Sequence, residues 1–467
     1  MKLYNSLSQS KESFHPVHPG RVSMYVCGVT VYDYCHLGHG RVYTVFDVVA
    51  RYLRARGYDV TYVRNITDVD DKIIQRAQEQ QIAIDELTAQ YIRAMHEDLE
   101  RLGNERPDFE PRATESIESM HRLIEALMER KVAYQSAQGD VLFSVKQFQP
   151  YGELSHRNLD ELRAGSRVAV DTQKEHPFDF ALWKHVAEDE PHYHSPWGPG
   201  RPGWHIECSA MAMDQLGPTI DIHGGGHDLI FPHHENERAQ CEAVTEQVFV
   251  RHWMHVGFVN INQEKMSKSL NNFHTLRSLY ECYAPEVLRY FLLSSHYRSP
   301  VSFSFEALDQ AKDALTRLYR ALSLFDLPES KVGVRYAPET AVSPFHARFI
   351  EAMDEDFNTP VAMGVLFDLA HDIQRLHGQP DTRHEAAVHA HWLKELGALL
   401  GLLQNPPAKL LQGEEPLSEE FKALIEARES ARKGRDWAKA DLLRKELLEA
   451  GISIEDTPEG TVWRRLS

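Results

Sequence analysis

The spacing of apolar residues divides the chain into stretches that favour different kinds of structure. Near the N-terminus, a short apolar run at 24–28 predicts a buried strand, and the β-branched segment 59–66 predicts another. Between them, apolar residues recur at helical spacing from Val42 to Leu53, and Gly57 marks the end of this helix. A strand, a helix and a strand in this order form a βαβ unit, which predicts a parallel sheet.

The pattern then becomes helical and later irregular. Apolar stripes at 84–102 and 117–127 predict two helices. From Lys131 to Trp197 the pattern is short and mixed, and a chain of turn residues follows at 196–203. We interpret this stretch as a subdomain that is inserted into the α/β domain.

The α/β pattern resumes after the insertion and then gives way to helices. The predicted elements of this second half are a strand at 219–223, a glycine loop at 224–226, a helix at 235–244, a strand within 248–259, a polar loop around Lys265, helices from Phe305 to Leu403, a linker around 405–415, and a small helical and β piece after it.

Composition narrows the class of protein. The chain has 467 residues, of which 42% are hydrophobic and 26% are charged, an ordinary soluble composition that predicts about three domains. It contains no apolar stretch of about 18 residues and no apolar signal core at 1–20, so we expect a cytoplasmic protein with no membrane partner. Its five cysteines form no CxxC pair, which favours a reducing compartment and makes any special cysteine a ligand or a nucleophile.

The charge of the chain bears on nucleic-acid binding. A net charge of −18 argues against a protein that binds nucleic acid nonspecifically over its whole surface. The segment 428–445 nevertheless carries seven Lys or Arg residues against three Asp or Glu residues. A local basic surface is therefore available for phosphate contacts.

Two short motifs indicate phosphate chemistry. His36-Leu-Gly-His39 follows a predicted strand and opens a helix, where the partial positive charge of the helix N-terminus favours phosphate. Lys265-Met-Ser-Lys-Ser269 places two ammonium groups on a polar loop, and lysine suits phosphate as a flexible point charge. Each motif alone is equally well explained as a surface turn or a solvated loop. Their combination around one α/β domain is specific.

The pair resembles the two signatures of the class I aminoacyl-tRNA synthetases, with Leu37 where the first signature usually has Ile. The resemblance is closest to the cysteinyl-tRNA synthetases and covers essentially the whole chain. The matching segments follow the order of that family and lie at 24–33, 65–72, 203–209, 231–237 and 265–269.

The resemblance implies a fold and a division into domains. The fold class is α/β, with a Rossmann-type parallel sheet and a connective insertion, followed by a helical bundle and a small C-terminal α/β domain. The expected domains are a split Rossmann catalytic domain at 1–120 and 200–260, the connective insertion at 121–199, the KMSKS loop and stem-contact region at 261–304, the helical bundle at 305–404 and the anticodon-binding domain at 405–467.

A metal site is indicated independently of the resemblance. His233 and Glu237 are four residues apart at the start of a predicted helix, so their side chains point from one face. Together with Cys27 and Cys208 they form a donor set that suits Zn²⁺, although a lone cysteine in a strand is more often a packed core residue. His234 competes with His233, because it also faces Glu237. The resemblance resolves the tie and implies one zinc ion per chain, held by Cys27, Cys208, His233 and Glu237.

The resemblance also implies roles for other residues. His36, His39 and Lys268 bind ATP with Mg²⁺, and Lys265 acts with them on the departing pyrophosphate. The amino-acid pocket is expected at Gly28, Thr67, Trp204 and Asp228, and tRNA contacts are expected at Arg432, Arg435 and Trp437. Trp204 and Trp437 have a plainer explanation, since each is equally compatible with packing inside its own domain.

The implied function is that of a cysteine–tRNA ligase that acts on L-cysteine, ATP and tRNA(Cys) as a monomer. A zinc ion beside the reaction centre would accept the substrate thiolate, which serine cannot provide. One alternative is a small-molecule cysteine ligase of the mycothiol-pathway type, which should lack the anticodon domain. Another is a zinc- and RNA-binding paralogue without catalysis, whose signature loops would be free to decay.

Overall fold

A computed structural model describes residues 1–157, 174–261, 264–265, 273–325, 343–412, 419–450, 452–457 and 460–465. The chain forms two compact units. The first comprises Met1–Leu308 and Gly333–Gly364, and the second comprises Asp309–Val332 and Val365–Ser467. In the described part of the chain, no helix is both long and apolar enough to cross a bilayer.

The strands are numbered in chain order. They are β1 Lys2–Asn5, β2 Ser10–Ser13, β3 Arg21–Val26, β4 Asp59–Arg64, β5 Ala133–Gln135, β6 Val141–Phe143, β7 Phe180–His185, β8 Gly200–Pro202, β9 Ile220–Gly226, β10 Val250–Val256, β11 Val259–Ile261, β12 Glu264–Lys265, β13 Val301–Phe303, β14 Ile452–Thr457 and β15 Gly460–Arg465.

The α-helices of the described residues are numbered in the same way. They are α1 Leu37–Ala55, α2 Asp71–Gln80, α3 Ile84–Arg101, α4 Ile117–Glu129, α5 Trp204–Leu216, α6 Glu235–Thr245, α7 Leu276–Tyr280, α8 Pro285–Leu293, α9 Phe305–Leu322, α10 Pro344–Asp354, α11 Thr359–His377, α12 Arg383–Leu399, α13 Pro407–Gln412, α14 Glu419–Lys433 and α15 Trp437–Glu449.

A four-stranded parallel sheet forms the centre of the first unit, in the order β10-β9-β3-β4. These strands are buried along most of their length because both faces of the sheet are covered, as is usual for parallel sheets. The carboxyl ends of β3 and β9 lie side by side, with Met24 opposite Ile222 and Val26 opposite Gly224. The α/β fold class and the βαβ unit β3–α1–β4 are confirmed.

The inserted stretch has a sheet of its own. Strands β5, β6, β7 and β8 pair in that order, and every pairing is antiparallel. The prediction of turns throughout 196–203 was wrong at its end, because Gly200, Arg201 and Pro202 pair with β7. A run of Gly and Pro residues resembles a turn in sequence, but Pro is tolerated on an edge strand.

Several other elements differ from the sequence prediction. Gly224–Gly226 was predicted as a loop but completes β9, because β10 continues opposite it as far as Val256. Lys265 was predicted on a loop, whereas it lies in β12, where its backbone pairs with Asn260 of β11. The N-terminal hairpin β1–β2 and the helices α2 and α5 were missed, since their short or mixed patterns carry little periodicity.

The second unit is helical and ends in a hairpin. Helices α14 and α15 pack on β14 through a small core of Ile425, Leu447, Ile452 and Ile454. Strands β14 and β15 pair antiparallel, with Ile454 opposite Trp463. The predicted helical region, followed by a small helical and β piece, is confirmed.

Candidate active site and metal cluster

Four side chains from separate parts of the first unit meet at the carboxyl end of β3. Cys27 directly follows β3, and Cys208 lies in the second turn of α5. His233 lies on a short helical turn just before α6, and Glu237 is the third residue of that helix. The structure therefore brings together the four predicted metal ligands, although His233 precedes the helix that was expected to carry it.

The donor atoms of this cluster are close and shielded from water. The Cys27 and Cys208 Sγ atoms are 3.8 Å apart, and Cys27 Sγ lies 3.4 Å from Glu237 Oε1. His233 Nε2 is 3.0 Å from the same carboxylate oxygen. All four residues are buried, with at most 4% of their surface exposed. Two thiols, an imidazole and a carboxylate at these separations can hold a metal ion.

A second donor group overlaps the first. It shares Cys27 and Glu237 but uses His223 and His234 in place of Cys208 and His233. His234 Nε2 lies 4.0 Å from Glu237 Oε1, farther than His233, and its Nδ1 pairs with His255 Nε2 at 2.8 Å. The competition between His233 and His234 that the sequence left open is therefore visible in the structure, and the distances favour His233.

The ionisable groups of the cluster shift one another's pKa values. Burial and the Cys208 thiol raise the pKa of Cys27 well above its usual range, while the hydrogen bond from Cys27 lowers the pKa of Cys208 to about 6. Burial alone would lower the pKa of His233, but Glu237 and Cys208 outweigh it and raise this pKa to about 10. A bound metal ion would displace such protons, which is how metal binding is coupled to pH.

Two further histidines orient the predicted ligands and were missed as such from the sequence. His223 Nε2 lies 2.8 Å from Glu237 Oε2, and His205 Nδ1 lies 2.8 Å from His233 Nδ1. Partners of this kind fix the orientation of metal ligands. His205 lies three residues before Cys208, whereas His223 lies in β9, which carries none of the four ligands, so only the fold shows that both face the cluster.

The predicted amino-acid pocket is partly assembled beside the cluster. The Trp204 ring is 41% exposed and lies 4.3 Å, centroid to centroid, from the His233 ring. Thr67 is buried, and its hydroxyl accepts a hydrogen bond from Asn65 Nδ2 at 3.1 Å. The Gly28 N–H donates to Asn65 Oδ1 at 2.7 Å. A Cβ at Gly28 would lie 1.6 Å from the Asn65 carbonyl oxygen, so only glycine fits here.

Asp228, the remaining pocket residue, lies elsewhere. It is exposed on a short turn that follows β9. It lines a cavity of about 550 Å³ together with His227, Phe231, His255 and Arg157. The described residues that line this cavity do not include Cys27, Cys208, His233 or Glu237.

The two signature histidines cap α1. His36 is the N-cap residue, and its Nδ1 accepts hydrogen bonds from the N–H groups of Gly38 and His39. His39 Nδ1 in turn accepts from the His36 N–H, and the two rings stack 3.7 Å apart. Because each Nδ1 is an acceptor, the proton of each neutral ring lies on Nε2. The N-terminal end of α1 therefore carries two imidazole N–H donors in addition to the partial positive charge of the helix dipole.

Only the first residue of the second signature, Lys265, is among the described residues. Lys265 pairs with Asn260, and its backbone marks the start of the loop. Lys268 and the rest of the motif lie outside the described residues. The chain returns beside the first signature, because the Leu37 N–H donates to His274 O and the Leu276 N–H donates to Cys35 O. The segment 274–276, which follows the motif, is thus anchored next to His36.

The predicted tRNA residues lie where α14 turns into α15. Arg432 is in the last turn of α14, Arg435 has a φ of 58° in the connecting turn, and Trp437 begins α15. Trp437 is 59% exposed. The plainer explanation for Trp437, a tryptophan packed in its own domain, does not fit this exposure.

Comparison with protein families matches nearly the whole chain. Residues 13–313 match the class I (C) tRNA synthetase catalytic domain, 348–404 match the DALR domain, and 414–464 match the anticodon-binding domain of cysteinyl-tRNA ligase.

Individual proteins give the same picture. The chain is 55% identical to the cysteine–tRNA ligases of Thioalkalivibrio sulfidiphilus and Methylococcus capsulatus, each over 100% of both chains. Among solved structures it is similar to Mycobacterium tuberculosis methionyl-tRNA synthetase in complex with methionyl-adenylate, with a TM-score of 0.61 and 16% identity, over 86% of this chain and 96% of that one. The latter likeness concerns the fold.

Proposed function

The chain belongs to the cysteine–tRNA ligase family, and on this premise we propose that it holds a zinc ion in its buried cluster and uses it to select L-cysteine. The ligase activates cysteine with ATP and transfers it to the terminal ribose of tRNA(Cys). The observation that carries this assignment is the match over the full length of the chain, including the anticodon-binding domain at 414–464. A mycothiol-type ligase, which should lack that domain, is not favoured.

The residues of the cluster fit zinc. A tetrahedral zinc site with bonds of about 2.0–2.3 Å places its ligand atoms roughly 3.3–3.8 Å apart. The separations of 3.8, 3.4 and 3.0 Å in the cluster lie near this range. We propose Cys27, Cys208, His233 and Glu237 as the ligands of one zinc ion per chain.

Zinc would bind the substrate as a thiolate and stabilise that anionic form. The chain's own contribution is to keep this pocket dry and to hold the ligands in place through His205 and His223. Serine offers only a neutral hydroxyl. A site built on a bond that the competitor cannot make can discriminate by about 10⁴–10⁵ without an editing step.

Around this pocket, Trp204, Thr67 and Gly28 are proposed to contact the amino acid. Trp204 leaves one face exposed while its ring lies against His233. Asn65 holds both Thr67 and Gly28. Asp228, on the turn after β9, is proposed to contact the substrate from its own side of the site.

Adenylate formation is in-line attack of the cysteine carboxylate on the α-phosphate of ATP, with pyrophosphate leaving. We propose that His36 and His39 donate from Nε2 to the ATP phosphates, which also bind Mg²⁺. Lys265 and Lys268 are proposed to stabilise the charge that develops on the departing pyrophosphate. The chain thus contributes positioning and charge stabilisation rather than covalent chemistry.

For tRNA recognition we propose Arg432, Arg435 and Trp437. An exposed tryptophan can stack on an unpaired base while neighbouring basic residues hold phosphates. The exposed Trp437 ring between Arg435 and Lys439 supports this assignment. Replacement of Trp437 by Ala should lower tRNA charging and leave pyrophosphate exchange intact.

The division into domains remains a proposal, with catalytic residues at 1–120 and 200–260, the insertion at 121–199, the loop and stem-contact region at 261–304, the bundle at 305–404 and the anticodon domain at 405–467. We also propose that the protein acts in the cytoplasm as a monomer, in keeping with its role in tRNA charging.

Cysteine-dependent exchange between ATP and pyrophosphate, followed by charging of tRNA(Cys), tests the function. Both activities are expected. Exchange without charging would favour a small-molecule ligase, and a chain with neither activity would be a binding protein that has lost catalysis.

A further inference from the structure

A buried arginine joins the N-terminal end of α1 to two other segments of the first unit. Arg41 follows His39 by two residues and is 1% exposed. Its guanidinium donates five hydrogen bonds, to Gly257 O (3.1 Å), Leu292 O (3.0 Å), Ser295 Oγ (3.1 Å), His296 O (3.2 Å) and Ser299 O (2.5 Å).

The charge of Arg41 is balanced differently from that of other buried arginines. Arg289 pairs with Asp47, and Arg64 pairs with Glu110. Among the described residues, no carboxylate lies within ion-pair distance of Arg41, and burial lowers its pKa to about 10. A buried charge without an ionised partner is costly, so hydrogen bonds must offset the loss of water. Four of the five acceptors of Arg41 are backbone carbonyl groups.

The segments that meet at Arg41 are those that frame the phosphate site. Gly257 follows β10 and leads into β11, whose partner β12 contains Lys265. The Gly257 N–H donates to Tyr297 O at 2.8 Å. A Cβ at Gly257 would lie 2.6 Å from the Ser299 carbonyl, so the junction and the 295–299 turn are in close contact.

We propose that Arg41 is a positioning residue for adenylate formation. It holds the His36–His39 end of α1 in register with the junction from which the Lys265–Ser269 loop departs. This inference rests on the ATP site proposed above, and it assigns to Arg41 no contact with substrate.

The position of Arg41 determines which step should depend on it. None of its five hydrogen bonds reaches the metal cluster, so cysteine affinity should not depend on it. Adenylate formation needs the histidines and the loop lysines around the same phosphates, and a displacement of about 1 Å can cost roughly 10²-fold in rate. Transfer from a preformed adenylate no longer involves pyrophosphate and should be spared.

The test compares Arg41→Met, Arg41→Lys and wild type in three assays: single-turnover adenylate formation, KM for cysteine in pyrophosphate exchange, and single-turnover transfer from bound adenylate to tRNA(Cys). For Arg41→Met we expect adenylate formation to slow by roughly 10²-fold. The cysteine KM and the transfer rate should stay within about threefold of wild type. Arg41→Lys keeps the charge but lacks the planar fork, so it should rescue only part of the loss.

Arg289→Lys is the matched control. Arg289 is equally buried and also joins α1 to α8, through Asp47, but it lies away from the signature histidines. It should lower thermal stability while keeping the three parameters near wild type. Ser295→Ala, which removes only one acceptor of Arg41, should change little.

Three results would overturn the proposal. They are an Arg41→Lys protein that forms adenylate at the wild-type rate, a loss shared equally by adenylate formation and transfer, and a loss confined to the cysteine KM. Wild-type exchange and charging test the proposed function separately, so its failure would be seen before any variant is compared.

Discussion

The metal cluster and the N-terminal end of α1 are built in different ways. The cluster draws donors from four distant places in the sequence and buries them, and His205 and His223 orient two of them. The N-terminal end of α1 uses one contiguous tetrapeptide, whose half-buried histidines cap the helix, and the segment 274–276 hydrogen-bonds beside it. One region excludes water around two thiols, an imidazole and a carboxylate, while the other is proposed to offer N–H donors to the phosphates of ATP.

If the proposed roles are right, this difference makes amino-acid selection and phosphate chemistry separable. Under the proposal, cysteine selection depends on the donor geometry of a buried cluster, and adenylate formation depends on charges that act when pyrophosphate leaves. Variants of one region should therefore spare the parameter that belongs to the other. The predictions below test that separation, beginning with the largest expected effect.

Cys208→Ser should produce the largest change, because serine replaces a thiolate by a hydroxyl that zinc binds poorly. Most of the metal should be lost, and with it the anchor for the substrate thiolate. The preference for cysteine over serine should fall by several powers of ten out of the ~10⁴–10⁵ that such a bond can supply. Metal content by atomic absorption and exchange kinetics with both amino acids measure this.

Cys35→Ser is the control for this variant, since Cys35 is buried like Cys208 but lies outside the donor cluster. It should retain its metal. In Cys208→Ser the loss should come from weaker cysteine binding, with ATP binding nearly unchanged. Full metal content together with unaltered cysteine affinity would show that the ligand assignment is wrong.

Lys268→Ala should slow adenylate formation and leave cysteine binding unchanged, the reverse of what is expected for Cys208→Ser. The lysine is proposed to stabilise charge that appears only as pyrophosphate departs, so its loss should cost about 2.7–4 kcal/mol in the barrier, or ~10²–10³-fold in rate. Cysteine affinity and metal content should remain. The measurement is single-turnover adenylate formation, with Lys184→Ala as a control at an exposed lysine that pairs with Asp71. A wild-type rate in Lys268→Ala would refute the role.

The sequence predicted those parts of the molecule whose signal is local. The stripes at 84–102 and 117–127 became α3 and α4, because a buried helix face repeats within a few residues. The His36–His39 motif was recognisable because the cap and its partners are contiguous. The end of β9 was missed, since Gly224–Gly226 are held in a strand by pairing with β10 and not by any preference of their own.

The supporting residues of the site could not be predicted for the same reason. His223 meets Glu237 across 14 positions, Asn65 meets Gly28 across 37, and Arg41 meets Gly257 across 216. No periodicity or spacing encodes such contacts, because they depend on how whole elements pack. The ligand set was therefore chosen with the help of family resemblance, and the histidines that orient it were left out.

Asn65→Ala should weaken only the cysteine side of the comparison. It removes the acceptor for the Gly28 N–H and the donor to the Thr67 hydroxyl, two hydrogen bonds worth about 1 kcal/mol each. The cysteine KM should rise by about tenfold, while metal content and the ATP KM should stay near wild type. Asn65→Asp keeps the acceptor and should show a smaller rise. An unchanged cysteine KM in Asn65→Ala would remove Asn65 from the pocket.

Glu110→Gln should leave cysteine binding and adenylate formation unchanged and lower only the stability of the fold. The reason is that Glu110 holds Arg64, the last residue of β4. Glu110 binds Arg64 at 2.6 Å and His96 at 2.8 Å, and the Arg64 guanidinium lies 4.6 Å from the centre of the Tyr43 ring of α1.

These contacts make the stabilisation by Glu110 depend on pH. Burial alone would raise the pKa of Glu110, but His96 and Arg64 outweigh it and lower this pKa to about 2. A carboxyl whose pKa falls on folding stabilises the protein above its unfolded pKa of about 4.3, and this contribution fades as pH falls towards about 2. This contribution is at most about 3 kcal/mol at neutral pH, and the partial exposure of the pair reduces it.

The test is urea unfolding of wild type and Glu110→Gln between pH 2 and 7. The wild-type midpoint should lie above that of the variant at pH 7, and the two midpoints should converge at low pH. Glu118→Gln, at an exposed carboxylate of α4, is the control and should run parallel to wild type. A constant gap between Glu110→Gln and wild type across this range would mean that the brace acts by packing, and a loss of adenylation at pH 7 would mean that the two regions are coupled through β4.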